Sequence, residues 1–193
     1  MRRIATLAAG LLCTACIANG MPMPAPVTPP PPFADIEPAN MQGMLAAHNQ
    51  VRASLGIAPL RWSGQMAAYA QQWAEHLARH NGCEMQHRTH ANADLLKVGE
   101  NLYWASPLRW SDGRIEVQQI SPTRVAQDWA SEQADYNYAG NTCRPGAQCG
   151  HYTQMVWRST TEVGCGMTVC GNQAQLWVCN YNPPGNWVGE KPY

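Results

Sequence analysis

The sequence predicts an α+β domain in which helices surround a small antiparallel sheet and disulfides staple the whole. Three observations carry this: stretches with helical apolar spacing come first, two short strand-like runs joined by a turn come last, and six cysteines follow an N-terminal export signal. At 193 residues and 45% hydrophobic side chains, the chain can bury one core rather than two.

The first helix is read from Met41, Met44, Leu45, His48 and Val51, which recur at helical spacing until Gly56. Ser63 is placed to cap a second, with Met66, Ala67, Ala70, Trp73, Ala74 and Leu77 on its inner face and Asn81-Gly82 as a left-handed stop. Ser121-Pro122 opens a third, with Val125, Trp129 and Ala130 on one face and an end near Tyr136. Leu102-Tyr103-Trp104 starts a strand, and the irregular stretch from Ser106 to Gln119 reads as a surface loop. Glu162 to Cys170 and Ala174 to Tyr181 form a β-hairpin around Gly171-Asn172-Gln173. Trp62, Trp73, Trp129 and Trp157 fall at core positions, and His48 and Arg52 read as interlayer hydrogen-bonders.

Arg2 and Arg3 precede an apolar run from Ile4 to Ala18 that is too short to span a bilayer but suits a signal peptide, so residues 1–20 are read as removable. Met21 to Pro38 is so rich in proline that it reads as an extended spacer, leaving 39–193 as the domain. A second possibility keeps Cys16, within Cys13-Thr14-Ala15-Cys16, as a lipid-anchor cysteine, although the usual aliphatic residue three places earlier is missing. Both send the domain out of the cytoplasm, with no membrane span. Loss of Arg2 and Arg3 leaves 11 of the 13 basic residues against 13 acidic ones, a net charge of −2. That excludes a nucleic-acid partner, which needs clustered positive charge.

Export puts Cys83, Cys143, Cys149, Cys165, Cys170 and Cys179 in an oxidising compartment, and an even number there predicts three bridges. Zinc-finger binding is disfavoured because these six include no CxxC pair. Six cysteines alone allow fifteen pairings, so the residues leave the connectivity open.

Four motifs follow in order along the chain: Gly99-Glu100-Asn101-Leu102, Trp129-x-x-Glu132-x-x-x-Tyr136, Gly150-His151-Tyr152-Thr153-Gln154-Met155-Val156-Trp157, and Cys179-Asn180-Tyr181-Asn182-Pro183-Pro184-Gly185-Asn186. With Ala46-Ala47-His48-Asn49-x-x-Arg52, this ordered set resembles the CAP superfamily (cysteine-rich secretory proteins, antigen 5 and pathogenesis-related proteins), and most of all plant pathogenesis-related proteins of group one. The resemblance runs from about Met41 to Tyr193. It implies an α-β-α sandwich and the bridges Cys83–Cys170, Cys143–Cys149 and Cys165–Cys179. Closing the widest of these loops removes about 4–5 kcal/mol of unfolded-state entropy in the chain-entropy account, against about 2 kcal/mol for the tightest.

The resemblance also implies a cleft tetrad, matched here by His87, Glu100, Glu132 and His151, with His90 as the competitor of His87. Two imidazoles and two carboxylates can hold zinc or another divalent cation, exchange protons near neutral pH, or simply hydrogen-bond one another; the fold requires no cofactor. Neither GxSxG nor HExxH is present to support a hydrolase. A second implied property is binding of a sterol or other small lipid, for which Tyr103, Trp104, Leu108 and Trp110 are the candidate groove residues. The implied setting is defence or host interaction, with host proteins as further partners. The alternatives are an extracellular protease-like hydrolase that uses the same cleft, and a precursor that releases Pro183 to Tyr193 as a signalling peptide. The tail can instead pack across the sheet edge, with its prolines blocking further strand pairing.

Overall fold

The computed structural model describes residues 34–88 and 96–193. The signal segment with Cys16, most of the proline-rich spacer, and His90 lie outside the described residues.

Each helix starts where a side chain can accept its free N–H groups. α1 (Met44–Ser54) follows a 3-10 turn at Ala39–Met41. Gly43 at its start has φ +97° and no side chain to cap with, so the Glu37 carboxylate accepts from the Gly43 and Leu45 amides at 3.1 and 2.6 Å. α2 (Gly64–His80) is capped by Ser63 as expected, and Asp35 accepts from the Gly64 amide at 3.0 Å. Asp35 and Glu37, which the sequence assigns to the spacer, are thus tied to the domain. α2 ends at Asn81-Gly82, with Gly82 at φ +69°. α3 (Pro122–Ser131) has Ser121 as its cap and runs into a 3-10 turn at Glu132–Asp135, which carries the helical path to Tyr136.

The central sheet has four strands in the order β1 (Arg61–Trp62), β7 (Glu162–Val169), β8 (Gln175–Asn182) and β2 (Gly99–Ala105). β7, β8 and β2 are antiparallel neighbours, and the short β1 runs parallel to β7. The stretch expected to be a plain loop contains a ribbon, β3 (Leu108–Arg109) with β4 (Ile115–Glu116), closed by Arg114 bonding to Asp112 and Glu116. A second ribbon pairs β5 (Tyr136–Asn137) with β6 (Thr142–Cys143), and a six-residue helix, α4 (Gly150–Met155), follows.

β8 is buried from Gln175 to Tyr181, so both faces of the sheet are covered. On one face Leu102 and Val178 pack against Ala70 and Ala74 of α2. On the other, Trp177, Cys179 and Tyr181 join Met44, Val125, Trp129 and Tyr152 from α1, α3 and α4. This is the α-β-α sandwich. Its α2 layer lies close on the sheet because β7 carries glycine at 164 and 166: a Cβ there would overlap the Ser63–Ala67 backbone and Gln71 respectively. Trp62, Trp129 and Trp157 are buried as read, whereas Trp73 is only half-buried. Among the described residues, no helix is long and apolar enough to cross a membrane.

The three bridges are Cys83–Cys170, Cys143–Cys149 and Cys165–Cys179. Cys165 and Cys179 face each other across the hairpin, while Cys83–Cys170 joins the end of α2 to the β7–β8 turn. Replacing Cys83 and Cys170 by serine should lower unfolding stability by about 2–5 kcal/mol, more than the same change at Cys143 and Cys149. Urea unfolding of the two double variants tests this, and equal losses would contradict it.

Candidate functional site: a cleft at the sheet edge

β2 is an edge strand, and its first residues are where the two helical layers can meet without the sheet between them. From the α2 layer, His87 follows the helix and its Nδ1 lies 2.9 Å from Glu100 Oε1 of β2. The Arg88 amide donates to the same oxygen at 3.0 Å, while Glu100 Oε2 is buried without a hydrogen-bond partner among the described residues. From the opposite layer, His151 of α4 has its Nδ1 2.5 Å from Glu132 Oε1. Glu132 Oε2 accepts from the His151 and Tyr152 amides at 3.0 and 3.1 Å, so this carboxylate also caps α4. The His151 ring lies nearly parallel to Trp129, with centroids 6.0 Å apart.

Both histidines and Glu100 face one cleft of about 430 Å³, whose lining also includes Met85, Leu102 and Asn186. Glu132 stands behind His151 rather than on the surface of the cleft. A carboxylate can only accept, so Nδ1 of each histidine is the protonated nitrogen and Nε2 carries the lone pair of the neutral ring. Hydrogen bonding to Glu100 holds His87 above the usual histidine range, against a smaller opposing effect of burial. The structure therefore brings His87, Glu100 and His151 to one surface, with Glu132 as the support of His151.

The four candidate groove residues do not share a face. Successive strand residues project to opposite sides. Tyr103 packs with the α1–α3 layer, where its hydroxyl donates to Asp128 at 3.1 Å, while Trp104 lies on the side of Leu102 and α2. Trp104, Leu108 and Trp110 are 41, 39 and 48% exposed. The C-terminal tail packs on α4 and the β5–β6 ribbon, not across the sheet edge. Asn186 bonds to Gly150 O and Thr153 Oγ1, the Pro192 carbonyl accepts from the Arg158 amide, and Tyr193 stacks on Tyr138.

Sequence reasoning did not find the hydrogen-bonded chain that supports the cleft from within. Buried His48 donates from Nδ1 to the Met44 carbonyl at 2.8 Å, so its Nε2 accepts from the Tyr181 hydroxyl at 2.9 Å. That hydroxyl in turn accepts from Asn101 Nδ2 at 3.0 Å, and the same amide group donates to the His151 carbonyl at 3.1 Å. His48 and Arg52 are both fully buried interlayer hydrogen-bonders, as their types and positions implied. Asn101 sits inside the motif read from Gly99, but a single asparagine carries no sequence signal for this role.

Compared with known proteins, residues 45–181 match the cysteine-rich secretory protein family, CAP. The chain belongs to the CAP family. It is 39% identical over 154 residues to pathogenesis-related protein 1C of Nicotiana tabacum, covering 80% of this chain and 81% of that protein. Identity to pathogenesis-related protein 1 of Arabidopsis thaliana is 40% over 152 residues, with 79% and 81% covered. Among solved structures, venom allergen-like protein 4 of Schistosoma mansoni superposes with a TM-score of 0.61 at 26% identity, covering 81% of this chain and 94% of that one. These CAP relatives agree with the fold and ordered motifs described above.

Burial lowers the His48 pKa from 6.5 to about 4, so the ring is neutral in the folded protein. The unfolded chain binds a proton between those values that the folded chain does not. Stability should therefore be full above about pH 6.5 and fall by about 3 kcal/mol as pH drops to about 4. His87, with its raised pKa, acts in the opposite sense: its contribution is present below pH 6.5 and lost as pH rises through the raised value, and it is small because the ring is mostly exposed. Urea unfolding at neutral and acidic pH should show a weaker acid loss in His48→Gln than in the parent protein. Parallel pH profiles would contradict the assignment to His48.

Proposed function

We propose that this CAP domain is a secreted binding module acting in defence or host interaction, which takes a sterol or similar small lipid and holds a divalent cation at the His/Glu cleft. The observation that carries the lipid reading is the exposure of Trp104, Leu108 and Trp110 at the end of β2 and along the β3–β4 ribbon. Covering such groups gains about 25 cal/mol per Å² of apolar area removed from water. Flat aromatic rings suit the rigid apolar body of a sterol. Because Tyr103 turns to the other face, the proposed surface consists of the other three residues. Secretion is supported by the disulfides and the N-terminal segment, and the defence setting by the pathogenesis-related relatives.

The cleft fits a cation in part. Each imidazole has Nδ1 committed to a carboxylate, which orients the ring and leaves Nε2 as a zinc-type donor. Glu100 Oε2, without a hydrogen-bond partner among the described residues, is a further oxygen nearby. Among the described residues, however, no group of three or more histidine, cysteine or acidic side chains is gathered as a metal site. His87 and His151 would therefore share the ion with water, which makes it exchangeable rather than structural. Such an ion supplies a positive point for an anionic ligand group.

Binding is favoured over nucleophilic hydrolysis by the composition of the lining. Among the described residues, the one cysteine of the lining, Cys149, is bonded to Cys143, and none of the lining residues is serine or threonine. Titration with a fluorescent sterol should give a saturable signal that Trp104→Ala and Trp110→Ala each weaken by roughly tenfold, a loss of about 1.4 kcal/mol. Unchanged binding in both variants would overturn this surface. Repeating the titration with zinc and with a chelator reports whether the cleft is coupled to it.

A further inference from the structure

The outer face of α2 carries an ordered aromatic row. Trp73, His76 and His80 follow one another at spacings of three and four, which places them one above the next on one side of the helix. The Trp73 and His76 rings lie 4.8 Å apart and nearly parallel, at 10°. His76 and His80 lie 4.7 Å apart at 41°. The row is fixed at its base, since the Trp73 indole N–H donates to the Gln86 carbonyl at 2.9 Å and the Arg88 guanidinium sits 5.3 Å over the same indole. Both histidines are exposed, while Leu77 between them is buried and anchors the helix. Glu75 beside them is bonded to Gln71 and Arg79.

We propose that His76 and His80 form a surface site for a divalent transition-metal cation, with copper(II) bound most tightly, separate from the His/Glu cleft. A metal about 2.0–2.1 Å from one nitrogen of each imidazole, at right-angled to tetrahedral bond angles, puts the ring centroids about 4.5–5 Å apart. The observed 4.7 Å falls in that range, so the two rings already stand at the spacing a shared ion requires. Stacking on Trp73 restricts the His76 ring before the metal arrives, which reduces the ordering cost of binding. Imidazole suits copper, nickel and zinc, and the order of divalent affinities places copper first. Two helix ligands leave the remaining positions to water, so the ion is exchangeable and open to a ligand from outside.

The test is titration of the purified protein with copper(II) alone, then with zinc alone, followed by calorimetry and by quenching of tryptophan fluorescence. Copper should bind saturably and more tightly than zinc. His76→Gln and His80→Gln should each weaken copper binding by roughly tenfold or more, because either change removes the intramolecular second ligand. The pair His87→Gln with His151→Gln should leave this binding step in place. Copper affinity unchanged in the His76→Gln, His80→Gln double variant would overturn the proposal. So would a copper step that disappears with the cleft histidines instead.

Discussion

A single buried cation holds together the part of the fold on which the cleft is built. Arg52 of α1 is fully buried, and its guanidinium donates only to backbone carbonyls: Ala58 at 2.7 Å, Met155 at 3.0 Å, Trp157 at 2.9 Å and Thr160 at 3.0 Å. Burial and nearby Arg158 lower its pKa to about 10, so it remains charged at neutral pH. Hydrogen bonds from a charged donor are worth about 1.5–3 kcal/mol each, and the carbonyls at the end of a short helix have few other partners. Arg52 thereby closes the C-terminal end of α4 and the turn into β7. Glu132 closes the other end, and Cys143–Cys149 tethers the chain just before it. Six residues cannot sustain a helix by propensity alone, so α4, and with it His151, is positioned by these outside restraints.

The sandwich then explains why two His–Glu pairs meet. One pair lies on each side of the sheet, and the two sides meet at its edge, where β2 supplies a member of one of them. β2 supplies Glu100 toward α2 and Asn101 toward the opposite layer, so adjacent residues of one strand serve both sides of the cleft. The Asn101–Tyr181–His48 chain continues that connection across β8 to α1. The site is thus fixed by long-range contacts between segments far apart in sequence.

This also marks what could be read from the sequence. Ser63, Ser121-Pro122 and Gly82 are local signals whose physics acts within one turn, and the helices they bound are where the sequence placed them. The hairpin follows from its apolar runs and its Gly171-centred turn. α4 has no such signal, because its caps come from Glu132 and Arg52, residues far from it along the chain. β1 is two residues long and exists through its pairing with β7. The disulfide pairing and the tetrad came from family resemblance rather than from spacing. Strand alternation places Tyr103 and Trp104 on opposite faces, which follows from the register of β2 and not from the composition of the loop. The ribbon at Leu108 and Ile115 escaped detection because strands of two residues leave no periodicity.

Arg52 and Glu132 hold α4, and hence His151, in place. Amide hydrogen exchange in Arg52→Met tests it most directly. Protection should fall further at Thr153, Val156 and Trp157, whose amides bond within α4 and its turn, than at Val178 and Cys179 in the middle of β8. An equal fall at both places would mean that Arg52 contributes to the stability of the whole domain and does not set the position of α4.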